Sequence, residues 1–436
     1  MDDQEDQRVT MVSTWSSGSP FTSDMPTFSG SLGGFTFIDF LPECSSRGGI
    51  FTSPEYENFR TLVDRANNWL RSNPKCQVKT CESIEFTARG NNVNSEKMVF
   101  VQYGETSTRY IRGLRLWLSE TPGEEENKGQ QIGYFNLIPE QIKSGGFFTT
   151  PTFESLNDLL SRFNNMLHTN PIPGRILTIE SQEMKMSSFK DIDPDKSTWV
   201  AYGSRHNHFL FFIRVFYEIS DGIPEEIGIV DFPPDPITSG GVFTMPKYEL
   251  FSNVVQKASN WCAVQQGIRI CNIQSLEMKI NRGLDVDTHK MSYMESGNLR
   301  TYYLRILRVA FTKPRMYNGE LFPVQYLTCK TFSPPPLTRG ILVPEFETLQ
   351  QTKTRVQAWV KATGVQVISA ETTAIRMYTG GEAKLGAEAS FTYNVAEKSE
   401  YFIFIIRLYI NGYYSEPPPD MLPPIPEVEQ NCCIVS

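Results

Sequence analysis

A motif of proline, any residue, an aromatic residue and glutamate occurs four times in the 436-residue chain. Its prolines are Pro54, Pro151, Pro246 and Pro344, which are 97, 95 and 98 residues apart. Fifteen residues after each proline stands a large apolar residue, namely Trp69, Met166, Trp261 or Trp359. Self-similarity at a fixed period indicates repetition of one structural unit. The period therefore predicts four tandem copies of one fold.

A helix is predicted to follow each proline. Proline is predicted to occupy the first helical position, where its missing N–H costs nothing, and Ser53 or Thr150 is placed to cap the N-terminus. In the first copy the apolar residues recur three and four positions apart, which is the spacing of one helix face. They are Tyr56, Phe59, Leu62, Val63, Ala66, Trp69 and Leu70. In the fourth copy Thr352 and Lys353 interrupt this stripe, so we expect its helix to be the least buried.

Strands are predicted on both sides of each helix. The run FTFIDFLP precedes the first helix and VKTCESIEF follows it, and both have the composition of strands. Two further runs, separated by glycine and polar residues, predict a hairpin. One helix on a mostly antiparallel sheet is a two-layer α+β module, here in the order β-α-β-β-β. The predicted boundaries are a disordered lead-in at 1–33, repeats at 34–121, 131–220, 227–314 and 324–412, and a proline-rich C-terminal spacer at 413–436.

An arginine flanked by apolar residues recurs in the last predicted strand of each copy. The four arginines are Arg115, Arg214, Arg308 and Arg407. The strand after the helix carries, at one recurring position, Glu82, Glu180, Gln274 or Glu371. A buried arginine needs a hydrogen-bonding partner, and a cross-strand carboxylate or amide would provide one. Because every copy carries this pair, we interpret it as a structural pair that holds the fold together rather than as a ligand site.

The composition is that of a globular protein and does not favour nucleic acid as a partner. The net charge is −8 at pH 7, which is opposite to the charge that a phosphate backbone attracts. The acidic N-terminus, MDDQEDQRVT, differs from a secretory signal, so the chain is expected to stay in the cytoplasm. Six cysteines of the body are irregularly spaced, and we interpret them as reduced thiols.

Sequence motifs for catalysis, metal binding and cofactor binding are weak. His206 and His208 stand two residues apart, but no further ligand accompanies them at metal-binding spacing. The run that begins at Asp191 starts like a calcium loop, yet Lys196 stands where glycine is needed and Tyr202 where a glutamate is needed. The sequence contains no phosphate-binding loop and no nucleophile motif. We therefore expect no cofactor and no metal.

The C-terminal tail carries the most specific motif of the chain. Its proline-rich part predicts an extended spacer of roughly 50 Å, at ~3.1 Å per residue. The last four residues, from Cys433 to Ser436, match the C-a-a-X prenylation pattern, and the terminal serine favours a farnesyl group. In this respect the tail resembles the ends of prenylated signalling and trafficking proteins. A single lipid gives only marginal membrane binding, so Cys432 is the candidate for a second, palmitoyl-type acyl chain.

These features favour a non-catalytic, prenylated scaffold or adaptor on the cytoplasmic face of a membrane in a eukaryotic cell. It would present four repeated modules to protein partners, and a prenyltransferase would modify Cys433. A lipid or small-molecule carrier with pockets between helix and sheet is the alternative hypothesis. An enzyme of unrecognised type is the third. Solid cores under all four helices would favour the scaffold, one apolar cavity would favour the carrier, and a cleft of converging polar groups in one copy would favour the enzyme.

Overall fold

Four α-helices and a set of mostly antiparallel sheets make up the part of the chain that the computed structural model describes. The prediction of an α+β fold with helices on antiparallel sheets is confirmed. No helix within the described ranges is long and apolar enough to cross a lipid bilayer. These ranges are 34–46, 48, 54–89, 92–103, 107–120, 129–145, 151–186, 192–202, 207–241, 245–280, 285–295, 300–314, 322–339, 344–379, 382–383, 386–394, 398–426 and 429–430.

The elements of the first half fall into two quarters, each with one helix. The first quarter contains β1 (Phe35–Phe40), β2 (Cys44–Ser46), β3 (Glu55–Tyr56), α1 (Phe59–Ser72), β4 (Cys76–Arg89), β5 (Asn92–Val93), β6 (Val99–Gln102) and β7 (Ser107–Glu120). The second contains β8 (Ile132–Leu137), β9 (Gln141–Lys143), β10 (Thr152–Phe153), α2 (Leu156–Thr169), β11 (Gly174–Met186), β12 (Thr198–Tyr202) and β13 (Asn207–Ile219).

The second half continues the same order. The third quarter contains β14 (Glu225–Phe232), β15 (Pro236–Thr238), β16 (Lys247–Tyr248), α3 (Phe251–Cys262), β17 (Arg269–Lys279), β18 (Ser292–Glu295) and β19 (Thr301–Pro314). The fourth contains β20 (Leu327–Phe332), β21 (Thr338–Arg339), α4 (Leu349–Thr363), β22 (Gln366–Thr379), β23 (Glu382–Ala383), β24 (Phe391–Asn394), β25 (Glu400–Asn411) and β26 (Glu429–Gln430), with short 3₁₀ helices at Gly386–Glu388 and Pro419–Met421.

The helices begin later than the sequence predicts. Each starts five residues after its motif proline, as from Pro54 to Phe59, so the prediction that proline occupies the first helical position is wrong. The caps are Asn58, Ser155 and Thr348, whose side chains accept from backbone N–H groups three residues on, while Leu250 before α3 makes no such bond. In the first three quarters, the residues that follow the proline form part of a short strand pair.

The motif glutamate fastens this short strand pair to the helix. Glu57 accepts a hydrogen bond from the backbone N–H of Glu43 at 3.0 Å and pairs with Arg65 of α1 at 2.9 Å. Equivalent contacts join Glu154 to Glu140 and Arg162, and Glu249 to Asp235 and Lys257. The glutamate of the fourth motif, Glu347, pairs with Arg355. The motif therefore encodes the approach to the helix and not its first turn.

The residues fifteen positions after the prolines are not buried equally. Trp69 and Trp359 are fully buried, whereas Met166 and Trp261 are half-buried. The predicted interruption of the stripe at Thr352 is wrong, because Thr352 is fully buried and donates to Oε1 of Glu347 at 2.8 Å.

Four sheets carry the helices, and each takes one strand from another quarter of the chain. Sheet I contains β1, β7 and β4 with β12; sheet II contains β8, β13 and β11 with β18; sheet III contains β14, β19 and β17 with β24; sheet IV contains β20, β25 and β22 with β6. The strand exchange is cyclic, since the first quarter supplies β6 to sheet IV. The predicted hairpins are therefore wrong, because the edge of β7 that β6 would occupy is taken by β12.

Each helix lies between two neighbouring sheets. The core around α1 includes Leu116 of sheet I and Phe216 of sheet II, and the core around α4 includes Ile406 of sheet IV and Trp117 of sheet I. The cores around α2 and α3 likewise join sheets II and III, and III and IV. In β7, Leu116 and Trp117 thus face different helices. Both faces of a sheet are buried, which explains the continuous apolar runs in the long strands.

Loops of the following quarter close the N-termini of three helices. Asn94, Asp193 and Asp287 each form an Asx turn by accepting a backbone N–H from two residues on. The carbonyl groups at the ends of these turns then accept the first helical N–H groups. The pairs are Phe59 with Asp195, Leu156 with His289 and Leu349 with Glu96, at 2.8, 2.9 and 2.9 Å. The run that resembled a calcium loop therefore contributes a helix cap.

The described part of the C-terminal tail lies against α4, whereas the sequence predicts an extended spacer. The ring of Tyr414 packs edge-on against Trp359 at 4.9 Å, and its hydroxyl donates to the carbonyl of Cys329. Glu416 accepts from the indole of Trp359 at 3.0 Å. β26 then pairs in parallel with β21. Aromatic and carboxylate contacts thus outweigh the tendency of the prolines to extend the chain.

The exchange of β6 into sheet IV predicts a specific disulfide. Val101 and Tyr401 are directly opposite in the antiparallel pair, and opposed Cα atoms lie about 4.5 to 5.5 Å apart, within reach of a disulfide. Oxidation of the variant Val101→Cys with Tyr401→Cys should link the two peptides, as seen by mass spectrometry without reduction. The control pair Val101→Cys with Phe402→Cys should not link, because a one-residue shift places the side chains on opposite faces. An oxidised first variant without the linked peptide would contradict the strand exchange.

Candidate functional site

The four long strands β4, β11, β17 and β22 contact one another in cyclic order around a central axis. Each is paired along one edge with the long strand of its own sheet, namely β7, β13, β19 or β25. Their other edges face the axis, where N–H groups need hydrogen-bond acceptors because burial without one is costly. Side chains of the neighbouring inner strand provide these acceptors.

One acceptor per inner strand lies at the recurring acidic position of the sequence. Ser83 N–H donates to Glu180 at 2.9 Å, Ser181 N–H to Gln274 at 3.0 Å and Ser275 N–H to Glu371 at 2.7 Å. The N–H of Thr372 donates to Glu82, which closes the cycle. We call these eight residues, together with the four arginines, the axial belt. Its carboxylates and amide therefore join neighbouring sheets.

The four arginines lie across from these acceptors in strand register. The Cα partners are Glu82 with Arg115, Glu180 with Arg214, Gln274 with Arg308 and Glu371 with Arg407. A direct guanidinium–carboxylate contact within a pair, at 3.0 Å, is made by Arg407 with Glu371. The other three arginines bond to a residue on the opposite strand neighbour. Asp39 binds Arg115, Asn136 binds Arg214 and Asp231 binds Arg308, at 2.6 to 2.8 Å.

The arginines also join neighbouring sheets. Each donates to the hydroxyl of the belt serine or threonine on the preceding sheet, at 2.6 to 2.9 Å. The pairs are Arg115 with Thr372, Arg214 with Ser83, Arg308 with Ser181 and Arg407 with Ser275. Asp39, Asn136 and Asp231 were not predicted as partners from the sequence, although they occupy one recurring position in FIDF, YFNL and IVDF. The fourth copy has Thr331 there, which explains why Arg407 binds Glu371 instead.

Burial shifts the titration of the belt. Glu82 has its pKa raised to about 8, first by desolvation, against the opposing effects of Arg115 and the N–H of Thr372. Arg115 already pairs with Asp39, so its positive charge is shared between two carboxylates. Burial is also the main cause that raises the pKa of Glu180 and lowers the pKa of Arg214 to about 10. The belt is thus closely packed, and ionisation of its side chains is energetically unfavourable.

Cavities lie along the axis on both sides of the belt. The larger, about 690 Å³, is lined by Gln77, Arg175, Arg269 and Gln366 among others. The smaller, about 330 Å³, is lined by strand residues of all four sheets, and we call it the axial cavity. Glu85, Glu183 and Glu277 line it, each three residues after its belt position.

The charged groups around the axial cavity form networks of ion pairs. Arg112 bonds to Glu85 at 2.6 Å, and Arg305 bonds to Glu277 at 2.9 Å. Arg376 reaches Glu277 at 3.2 Å and Glu400 at 2.9 Å. These carboxylates and guanidiniums converge from several strands, and the sequence analysis did not identify them. A recurring glutamate three residues after the belt position was the available signal.

Cys432 and Cys433 are outside the described residues, as is His206. His208 is half-buried in β13.

Comparison with known proteins assigns no relative to this fold and site. The chain matches no protein-family profile, no curated protein sequence and no solved protein structure.

The raised pKa of Glu82 predicts a pH-dependent loss of stability. An acid whose folded-state pKa lies above its usual 4.5 contributes stability below that pH and loses it as the pH rises towards 8. The loss is at most about 1.4 kcal/mol per pH unit. Glu82→Gln keeps an acceptor for Thr372, as Gln274 does for Ser181, but cannot titrate. Between pH 5 and 8 the unfolding free energy of the unaltered chain should therefore fall relative to that of Glu82→Gln.

The measurement is denaturant unfolding at several pH values. The exposed Glu55 offers a matched control, because Glu55→Gln should leave the pH profile unchanged. Parallel profiles for the unaltered chain and Glu82→Gln would show that Glu82 does not titrate in this interval.

Proposed function

We propose that the chain is a non-catalytic scaffold of four tandem modules of about 97 residues, joined in a closed ring. The observation that supports this most is the cyclic exchange of β12, β18, β24 and β6 between the sheets. Each exchange ties a module to its neighbour through backbone hydrogen bonds. A ring closed in this way holds four similar surfaces at fixed positions, which is what multivalent binding requires.

The packing of the helices supports a scaffold over a carrier with pockets beneath its helices. Each helix is embedded in a core of buried side chains from two sheets. The axial cavity is lined by strand residues and lies outside these cores. The surfaces available to partners include the exposed faces of α2 and α3, which carry uncharged polar side chains such as Asn157, Ser161, Asn253 and Gln256.

The proposal includes attachment to the cytoplasmic face of a membrane. In a chain that ends at Ser436, Cys433 would carry a farnesyl group added by a prenyltransferase, and Cys432 an acyl chain. Gln430 is held by β26 against β21, and Cys433 is only three positions further along the chain. Three extended residues span at most about 11 Å. The lipid would therefore hold the ring close to the membrane surface rather than at the end of a long tether.

The scaffold proposal predicts that charges on the helix faces remove partners without unfolding the ring. Asn157→Arg and Asn253→Arg each place a large cation on an exposed polar face. Affinity capture from eukaryotic cells should lose a subset of bound proteins with each variant, while the unfolding midpoint stays unchanged. Thr238→Arg adds the same charge at an exposed position of β15 and serves as the control. Identical captured sets for all variants would contradict the proposal.

The lipid anchor predicts a different pattern in cell fractionation. Cys433→Ser should release the chain from membranes. The enzymes that would acylate Cys432 reside on membranes, which the chain without a prenyl group would rarely reach. Cys432→Ser should leave a weaker association, as a single lipid chain allows. Mass measurement of the C-terminal peptide should find the farnesyl group and the loss of the last three residues. An unmodified peptide that retains Ile434, Val435 and Ser436 would refute the anchor but leave the scaffold standing.

A further inference from the structure

The axial cavity has features that a purely structural centre does not need. Its volume of about 330 Å³ lies at the lower end of the range of small-molecule sites. Inner strands of all four sheets line it. It therefore exists only when the four sheets are assembled.

Two carboxyl groups of the cavity have tyrosine hydroxyls as hydrogen-bond partners and form no ion pair in the part of the chain that the structure describes. Glu183 accepts a hydrogen bond from the hydroxyl of Tyr293 at 2.6 Å, and Glu295 accepts one from the hydroxyl of Tyr303. Glu277, in contrast, is paired with two arginines. Both carboxyl groups are thus available to bind an external cation.

Aromatic rings form much of the cavity wall. Tyr110 and Trp199 are stacked at 4.2 Å between ring centroids, and Phe209 and Tyr293 at 5.0 Å. Phe100 and Phe402 are stacked on the side of sheet IV at 4.9 Å. Ring faces attract cations, most strongly where water is excluded, and flat apolar groups pack well against them.

Two amide side chains in the wall point to a ligand independently of the charges. Gln182 and Asn394 are 8% and 7% exposed and line the axial cavity. Within the described residues, neither side-chain amide has a hydrogen-bond partner. Their amide atoms are not among the fully buried atoms that lack a partner, so they keep access to the cavity, where a hydrogen-bonding group can reach them. A polar ligand in the cavity would supply the missing partners.

We propose that the axial cavity binds a small organic ammonium compound with a flat apolar body. The ammonium group lies at Glu183 and Glu295, and the body lies between the aromatic rings. Gln182 and Asn394 bond to its remaining polar groups. The site goes beyond the scaffold function, and a bound ligand would contact all four sheets at once.

The titration of Glu183 gives this site a distinctive pH dependence. Burial, followed by the charges of Glu295 and Glu85 against the hydrogen bond from Tyr293 and the charge of Arg112, raises the pKa of Glu183 to about 8. At neutral pH the carboxyl is therefore mainly protonated. Binding of an ammonium ion favours the carboxylate and releases that proton to the solvent. Affinity should rise between pH 6 and 8, with proton release detectable as a dependence of the binding heat on the buffer.

Calorimetric titration of the full chain with phenethylamine tests the proposal. We expect saturable one-to-one binding and no comparable binding of the neutral analogue 2-phenylethanol or the anion 3-phenylpropionate. Glu183→Gln should weaken binding of the amine by about tenfold or more, since hydrogen bonds to charged groups contribute about 1.5 to 3 kcal/mol. Glu55→Gln removes an exposed carboxylate and should leave the affinity unchanged.

The three ligands keep the test decisive even if Glu183→Gln fails to fold. Absence of saturable phenethylamine binding, or equal binding of 2-phenylethanol, would overturn the proposal. An equal affinity of folded Glu183→Gln for the amine would also overturn it. None of these results would bear on the capture experiment for the scaffold, which depends on the helix faces.

Discussion

The structure depends on hydrogen bonding at the inner edges of β4, β11, β17 and β22. These edges face one another around the axis, where a backbone N–H without an acceptor would be costly. Glutamate, glutamine and short hydroxyl side chains of each neighbouring strand supply the acceptors, as when Glu180 binds the N–H of Ser83 and Thr178 binds that of Cys81. Each sheet thereby needs the next sheet. Because Glu82 of sheet I accepts a hydrogen bond from the N–H of Thr372 in sheet IV, the last sheet also depends on the first, and the ring is closed.

The hydrophobic cores also make each sheet depend on its neighbour. Every helix packs between its own sheet and the following one, so the apolar side chains that surround Phe59 or Trp359 come from two quarters of the chain. The exchanged strands and the Asx-turn caps cross the same boundaries. A single quarter would expose one face of its sheet and the first turn of its helix. Shared cores, exchanged strands and caps therefore make the ring, and not the quarter, the unit that buries its surface.

Polar groups concentrate at the axis because both faces of the sheets are used for apolar packing. The belt arginines donate to hydroxyl groups of the preceding sheet and the belt carboxylates accept backbone N–H groups of a neighbouring sheet, although Nε of Arg407 has no partner among the described residues. Burial makes charge costly there, as the pKa of about 8 for Glu82 indicates. Beyond the belt the same strands diverge enough to leave the axial cavity, where Glu183, Gln182 and Asn394 are less completely paired. Polar groups of the belt bond mainly to other residues, whereas polar groups of the axial cavity have fewer partners. This contrast distinguishes structural polar groups from candidate binding groups.

The sequence by itself determined the long secondary elements and their order, but not the short strand pairs before the helices. Its apolar stripe identified the buried face of α1 from Phe59 to Leu70, and its period placed Glu82 across from Arg115 in strand register. It could not show that β6 pairs with β25, because a polar turn between two strands predicts a hairpin and the competing edge comes from residues some 300 positions away. Nor could it place the tail on α4, since Tyr414 and Glu416 find Trp359 only in the folded chain. Local periodicity predicts which face of an element is buried, but long-range packing decides which partner covers that face.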